Sequence, residues 1–175
     1  LIDVSGSMDE PDKLPLLKSG MHLLVDRLRS DDKVSIVVYA GAAGVVLEPT
    51  SGADKGTIDD ALERLQAGGS TAGGEGIELA YAVAKKARID GGINRIILAT
   101  DGDFNVGITD LDQLKSMVED SRKSGIALST LGFGAGNYND ALMEQIADIG
   151  NGNYGYVDSL KEAKRLLVDQ LDATI

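Results

Sequence analysis

The chain has 175 residues, enough for one domain with a sizeable core, and 28 acidic against 17 basic residues give it a net charge of -11. A chain this acidic repels phosphate backbones, so nucleic acid and anionic membranes are poor partners, while cations and basic proteins fit better. Cysteine is absent, which excludes disulfides, thiolate metal sites and cysteine nucleophiles, and no window approaches the roughly 18 continuous apolar residues of a membrane helix.

Leu1–Val4 reads as a strand with too few residues before Asp3 to be complete. Leu1 is not an initiator methionine, and the expectation is one domain, 1–175, cut from a longer protein inside its first strand. The first helix is expected over Asp12–Arg29, because Leu14, Leu17, Met21, Leu24, Val25 and Leu28 fall on one stripe at helical spacing. Asp12 as N-cap would put Pro15 in the first turn, where a missing amide costs nothing. Leu16 and Leu23 sit nearly opposite the stripe, and His22, the single histidine, lies about 110° from its centre and reads as a surface residue.

Lys33–Ala40 and Val45–Glu48 are strand-like and separated by a short Gly/Ala turn, so they should form a hairpin. Helical patterns follow at Thr57–Leu65 and Gly74–Arg88, then a strand at Arg95–Thr100. Helix Leu111–Lys123 carries a weak capping box in Thr109 and Asp112. Strand Ile126–Phe133, helix Asp140–Ile149, strand Tyr154–Val157 and helix Leu160–Leu171 complete the chain. Every gap between strands except the hairpin holds a helix, which implies parallel crossovers. The expected fold is α/β and doubly wound: a mostly parallel six-stranded sheet, helices on both faces, and Val45–Glu48 antiparallel at an edge.

Chemistry concentrates at two strand ends. The first strand runs into Asp3-Val4-Ser5-Gly6-Ser7, where alternate side chains can converge and Gly6 permits a tight path. The fourth ends in Asp101-Gly102-Asp103. Ligands of open doubly wound sheets bind beyond the carboxyl ends of strands, where strand order reverses. Between these motifs, glycines of the segment 68–74 surround a single Thr71, as suits a backbone that brings one hydroxyl close to a ligand. Asp3, Ser5, Ser7, Thr71 and Asp101 together offer two carboxylates and three hydroxyls, all hard oxygens, which favour Mg²⁺ or Mn²⁺ over zinc or copper. Without the cation, the two carboxylates are expected to repel, so that removing one relieves the metal-free form.

D-x-S-x-S after the first strand, one Thr in a Gly-rich loop, and Thr100-Asp101-Gly102 after the fourth strand resemble the metal-ion-dependent adhesion site of von Willebrand factor A domains. Segments 68–75 and 101–107 look like a bacterial branch with a single A domain in a longer envelope-associated protein. The resemblance implies a sheet ordered 3-2-1-4-5-6. It implies that Ser5, Ser7 and in some members Thr71 touch the ion directly, while Asp3 and Asp101 act largely through water. It further implies a partner protein whose Asp or Glu completes the coordination, hence a non-catalytic adhesion or scaffold module at the bacterial envelope, outside the cytoplasm, without membrane insertion by the domain itself.

Other readings are weaker. A Mg²⁺-dependent phosphohydrolase using Asp3 as nucleophile wants a second carboxylate two positions on, where Ser5 stands, and no Lys or Arg is expected beside the three motifs to hold a phosphate. Lys55, Lys85 and Arg95 are placed by no motif. A serine hydrolase lacks G-x-S-x-G. An EF-hand echo at 101–112 has Val106 where glycine is needed. Gly150, Gly152 and Gly155 fit G-x-G-x-x-G but follow a helix and enter a strand, the reverse of a dinucleotide site. A domain with a purely structural ion is not separable from the binding module on sequence.

Overall fold

A computed structural model describes residues 1–40, 43–68, 73–102, 108–134 and 140–169. Six strands, β1 (Ile2–Asp3), β2 (Lys33–Tyr39), β3 (Ala43–Ser51), β4 (Asn94–Thr100), β5 (Ile126–Phe133) and β6 (Asn151–Val157), form one sheet in the order β3-β2-β1-β4-β5-β6. Among the described residues only the β2–β3 pair is antiparallel, as so short a connection in sequence requires; the four other pairings are parallel. Six helices accompany them: α1 (Leu14–Val25), α2 (Lys55–Glu63), α3 (Gly73–Lys86), α4 (Ile108–Lys123), α5 (Asp140–Ile149) and α6 (Leu160–Lys164).

Burial on both faces explains the uninterrupted apolar runs of the central strands. In β4, Ile97 and Ala99 join a core shared with α1, α2 and α6, while Ile96 and Leu98 join a second core beneath α3, α4 and α5. β5 alternates likewise, with Ile126 and Leu128 on the second face and Leu131 and Phe133 on the first.

Several local expectations need correction. α1 begins at Leu14 with Lys13, not Asp12, at the N-cap position and no side-chain cap, although Pro15 does fall in the first turn. It is preceded by an unforeseen 3-10 turn, Gly6–Asp9, whose Met8 is fully buried. α4 is already helical at Ile108, so Thr109 lies inside the helix rather than capping it. α6 gives way to a π-helical turn at Arg165–Asp169. Leu16, assigned to the outer side of α1, packs against the core. The reason is α6 and the π-helical turn after it: a Cβ at Gly20 would stand 2.9 Å from Leu167 Cδ1 and 3.1 Å from Ala163 Cβ, so this side of α1 is covered too.

Residues with no motif turn out to join elements. Lys55 Nζ donates to the carbonyls of Val25 (2.6 Å) and Leu28 (2.9 Å), tying the start of α2 to the carbonyl end of α1. His22 is partly exposed and bridges α1 to α2, with Nδ1 2.7 Å from Asp59 Oδ1 and Nε2 2.6 Å from Glu63 Oε1. Carboxylates on both nitrogens suit the doubly protonated ring, in which both nitrogens donate. Burial lowers its pKa, but hydrogen bonds to Asp59 and Glu63 outweigh that and leave it raised. The glycines of the G-x-G-x-x-G match are packing positions: a Cβ at Gly152 would stand 1.9 Å from the Leu128 carbonyl oxygen, and one at Gly155 2.7 Å from Leu166.

Candidate metal centre

β1 and β4 lie side by side at the middle of the sheet, with Ile2 opposite Ala99. From β1 the chain runs outward to β2 and β3, whereas β4 leads the other way to β5 and β6, which makes their carboxyl ends the switch point of the fold. Asp3 and Asp101 stand there.

Asp3 is fully buried and both its oxygens are held. Oδ1 accepts from the Ser5 backbone N–H at 2.8 Å, and Oδ2 accepts from the buried Thr100 hydroxyl at 2.7 Å. Thr100 Oγ1 in turn accepts from the Gly102 N–H at 3.3 Å, joining the β1 and β4 exits. Burial raises the Asp3 pKa; the Ser5 and Thr100 hydrogen bonds draw it back and the Asp101 charge adds to the rise, with a net upward shift.

The 3-10 turn supplies the hydroxyls. Ser5 is extended at its N-cap (φ -60°, ψ 161°), and its carbonyl accepts from Met8 N–H at 3.0 Å, so the chain bends back immediately after β1. This brings Ser5 Oγ, 2% exposed as a residue, within 3.1 Å of the exposed Ser7 Oγ. The glycine-rich segment is fixed to the same place at both ends. Gly68 N–H donates to Val4 O at 2.7 Å, and Gly76 packs so closely on Tyr39, beside Asp3 in β2, that a Cβ would stand 2.9 Å from Tyr39 Cβ.

Asp101 Oδ2 pairs with Lys13 Nζ at 3.2 Å, and the same ammonium donates to Ser7 O at 3.0 Å. Burial lowers the Lys13 pKa, but the Asp101 contact, helped by Glu10 and Asp12, leaves it raised. The described contacts thus run Ser7–Ser5–Asp3–Thr100 on one side and Ser7–Lys13–Asp101 on the other. Of the five expected residues, Asp3, Ser5, Ser7 and Asp101 come together; Thr71 lies outside the described residues. Lys13 corrects the expectation that no basic residue stands beside the motifs. It is six residues beyond Ser7, and nothing in the sequence signals that its side chain turns back. Thr100 was visible as a motif residue but not as the anchor of Asp3.

The donor types fit a hard divalent cation, with hydroxyl and carboxylate oxygens gathered at one place, while the Lys13 ammonium already neutralises part of the charge that would attract one. Among the described residues, no three His, Cys, Asp or Glu side chains gather as a metal cluster, so hydroxyls would have to complete such a site.

Fold and strand-end cluster together define a doubly wound α/β domain with its polar centre at the switch point. The chain belongs to the von Willebrand factor type A domain family, whose model matches residues 1–170. It is 53% identical over 171 residues to the uncharacterised protein YfbK of Escherichia coli, covering 98% of this chain but only 30% of that protein. Among solved structures, an aerotolerance-related membrane protein from Bacteroides fragilis superposes with a TM-score of 0.80 at 27% identity, covering 98% of this chain and 96% of that one. Proximal thread matrix protein 1 from the mussel byssus, described with a zinc-occupied MIDAS motif, superposes with a TM-score of 0.73 over 99% of this chain and 44% of its own. At 22% identity that likeness shows a common fold.

Proposed function

We propose that this domain is a non-catalytic, metal-dependent protein-binding module in which Asp3, Ser5, Ser7, Thr71 and Asp101 hold one Mg²⁺ or Mn²⁺, and a Glu or Asp of a partner protein completes the coordination. The observation that carries this reading is the pairing of two strand-end carboxylates with two converging serine hydroxyls at the switch point. In this reading Ser5 Oγ and Ser7 Oγ are direct ligands, and Asp3 and Asp101 act through water. Asp3 suits that role because Ser5 N–H and Thr100 Oγ1 fix its orientation from behind. Thr71 belongs to a segment whose flanking Gly68 and Gly76 are pinned beside the same strands. When bound, the ion supplies a Lewis-acidic position with an exchangeable water that a carboxylate can replace.

Binding is favoured over phosphohydrolysis. Lys13 removes one objection to phosphate binding, but Asp3 is fully buried with both oxygens engaged, unlike a nucleophile open to attack a phosphorus centre. The domain is proposed to act as one module of a longer protein outside the cytoplasm, at a bacterial envelope. The large unmatched part of YfbK and the membrane assignment of the Bacteroides protein support that placement. Among the described residues no helix is long and apolar enough to cross a membrane.

Binding of a captured partner to immobilised domain, in Mg²⁺, in EDTA, and after its contacting acidic residue becomes alanine, tests the reading. Loss in the second and third arms is expected; binding that survives EDTA reduces the ion to a structural role and defeats the proposal.

A further inference from the structure

Lys13 stands at the start of α1, yet its side chain returns over the site and keeps only 14% of its exposure. The ammonium lies between Asp101 Oδ2 (3.2 Å) and Ser7 O (3.0 Å). Its stem rests on Gly134 at the end of β5, where φ is +82° and a Cβ would stand 2.5 Å from Lys13 Cε and 3.1 Å from Cγ. The lysine is therefore seated on three sides by groups from the first turn, β4 and β5. A primary ammonium in this position is a tethered cation at the point where the acidic strand ends attract a free one. We infer that Lys13 is an internal counter-ion that competes with the divalent cation for Asp101 and so sets the concentration at which the site loads. This rests on the cation site proposed above. The metal-free protein keeps its strand-end charge partly neutralised, and loading the site requires the Lys13–Asp101 contact to open.

Lys13→Met keeps the stem over Gly134 and deletes the ammonium. Calorimetric titration with Mg²⁺ is expected to show about tenfold tighter binding than in the wild type, the scale of one partly buried charge contact. Lys33→Met is the control: Lys33 is exposed at the end of β2 away from Asp3, and screening should keep its effect within about twofold. In EDTA, a double-mutant cycle of Lys13→Met with Asp101→Asn should show the two positions coupled in urea unfolding. Equal or weaker Mg²⁺ affinity in Lys13→Met, beside normal binding in the wild type, overturns the competition and leaves the cation site standing. Tightening matched by Lys33→Met, or no coupling in the cycle, overturns it as well. No binding in either Lys13→Met or the wild type overturns the cation site and the competition together.

Discussion

Replacing Asp3 separates its role as a charge from its role as a hydrogen-bond acceptor. From like-charge repulsion alone, deleting one carboxylate should relieve the metal-free protein. The structure argues the reverse for Asp3→Ala, because two donors depend on this side chain: the Ser5 N–H at 2.8 Å and the Thr100 hydroxyl at 2.7 Å, on buried residues. Each buried donor left without an acceptor costs about 1–3 kcal/mol. Relief of a desolvated carboxylate, whose pKa is already raised by burial, offsets part of the sum, and a net loss of about 2–4 kcal/mol is expected. Asp3→Asn behaves differently. Its Oδ1 still accepts from Ser5 and the buried charge is gone, but its amide can only donate towards Thr100 Oγ1, so the Thr100 O–H alone loses its acceptor. With one donor stranded instead of two, and the buried charge removed, that variant should lose about 1–2 kcal/mol, less than Asp3→Ala. Urea unfolding in EDTA reads both numbers. Equal stabilities for Asp3→Ala and Asp3→Asn would refute the idea that Asp3 organises the β1 and β4 exits through these two hydrogen bonds.

The His22 bridge predicts a pH dependence. Its folded pKa lies above the ordinary 6.5, so its contribution is fully present below that value and fades as pH rises through the folded pKa. The stability difference between wild type and His22→Gln, followed by thermal melts from about pH 5 to pH 9, should therefore shrink with rising pH; a flat difference contradicts the imidazolium bridge. Gly152→Ala should cost at least about 3 kcal/mol or prevent folding, since its Cβ would meet the Leu128 backbone oxygen at 1.9 Å, whereas Gly44→Ala meets nothing within 4 Å and should be near neutral. Leu98→Ala, at a fully buried position of β4, should cost about 2–5 kcal/mol in chemical denaturation.

Sequence and structure agree best where periodicity and chain connectivity decide the outcome. β5 and α5 have the bounds expected of them, and the few residues separating β2 from β3 leave room only for the antiparallel pairing observed between them, although β3 is longer than the expected Val45–Glu48. Asp3, Ser5, Ser7 and Asp101 were legible because strand ends and alternate spacing bring them to one place. Side-chain trajectories were not. Lys13 is an ordinary residue of a helix start until its stem is seen crossing Gly134, and Leu16 reads as exposed until α6 packs against the Gly20 side of α1. The four residues of the 3-10 turn carry no periodic signal, although buried Met8 holds the turn in place. The apolar stripe outruns the first helix, because Leu28 continues it while its N–H has already shifted to Val25 O, three residues back.

The central claim is a divalent cation held at the ends of β1 and β4. Isothermal titration of Mg²⁺ into the wild type, Asp3→Asn and Asp101→Ala tests it most directly, because Asp3→Asn is expected to stay folded and so isolates loss of the carboxylate charge. One site per chain in the wild type, abolished in both variants, is the predicted result. Unchanged Mg²⁺ affinity in both variants would contradict the account.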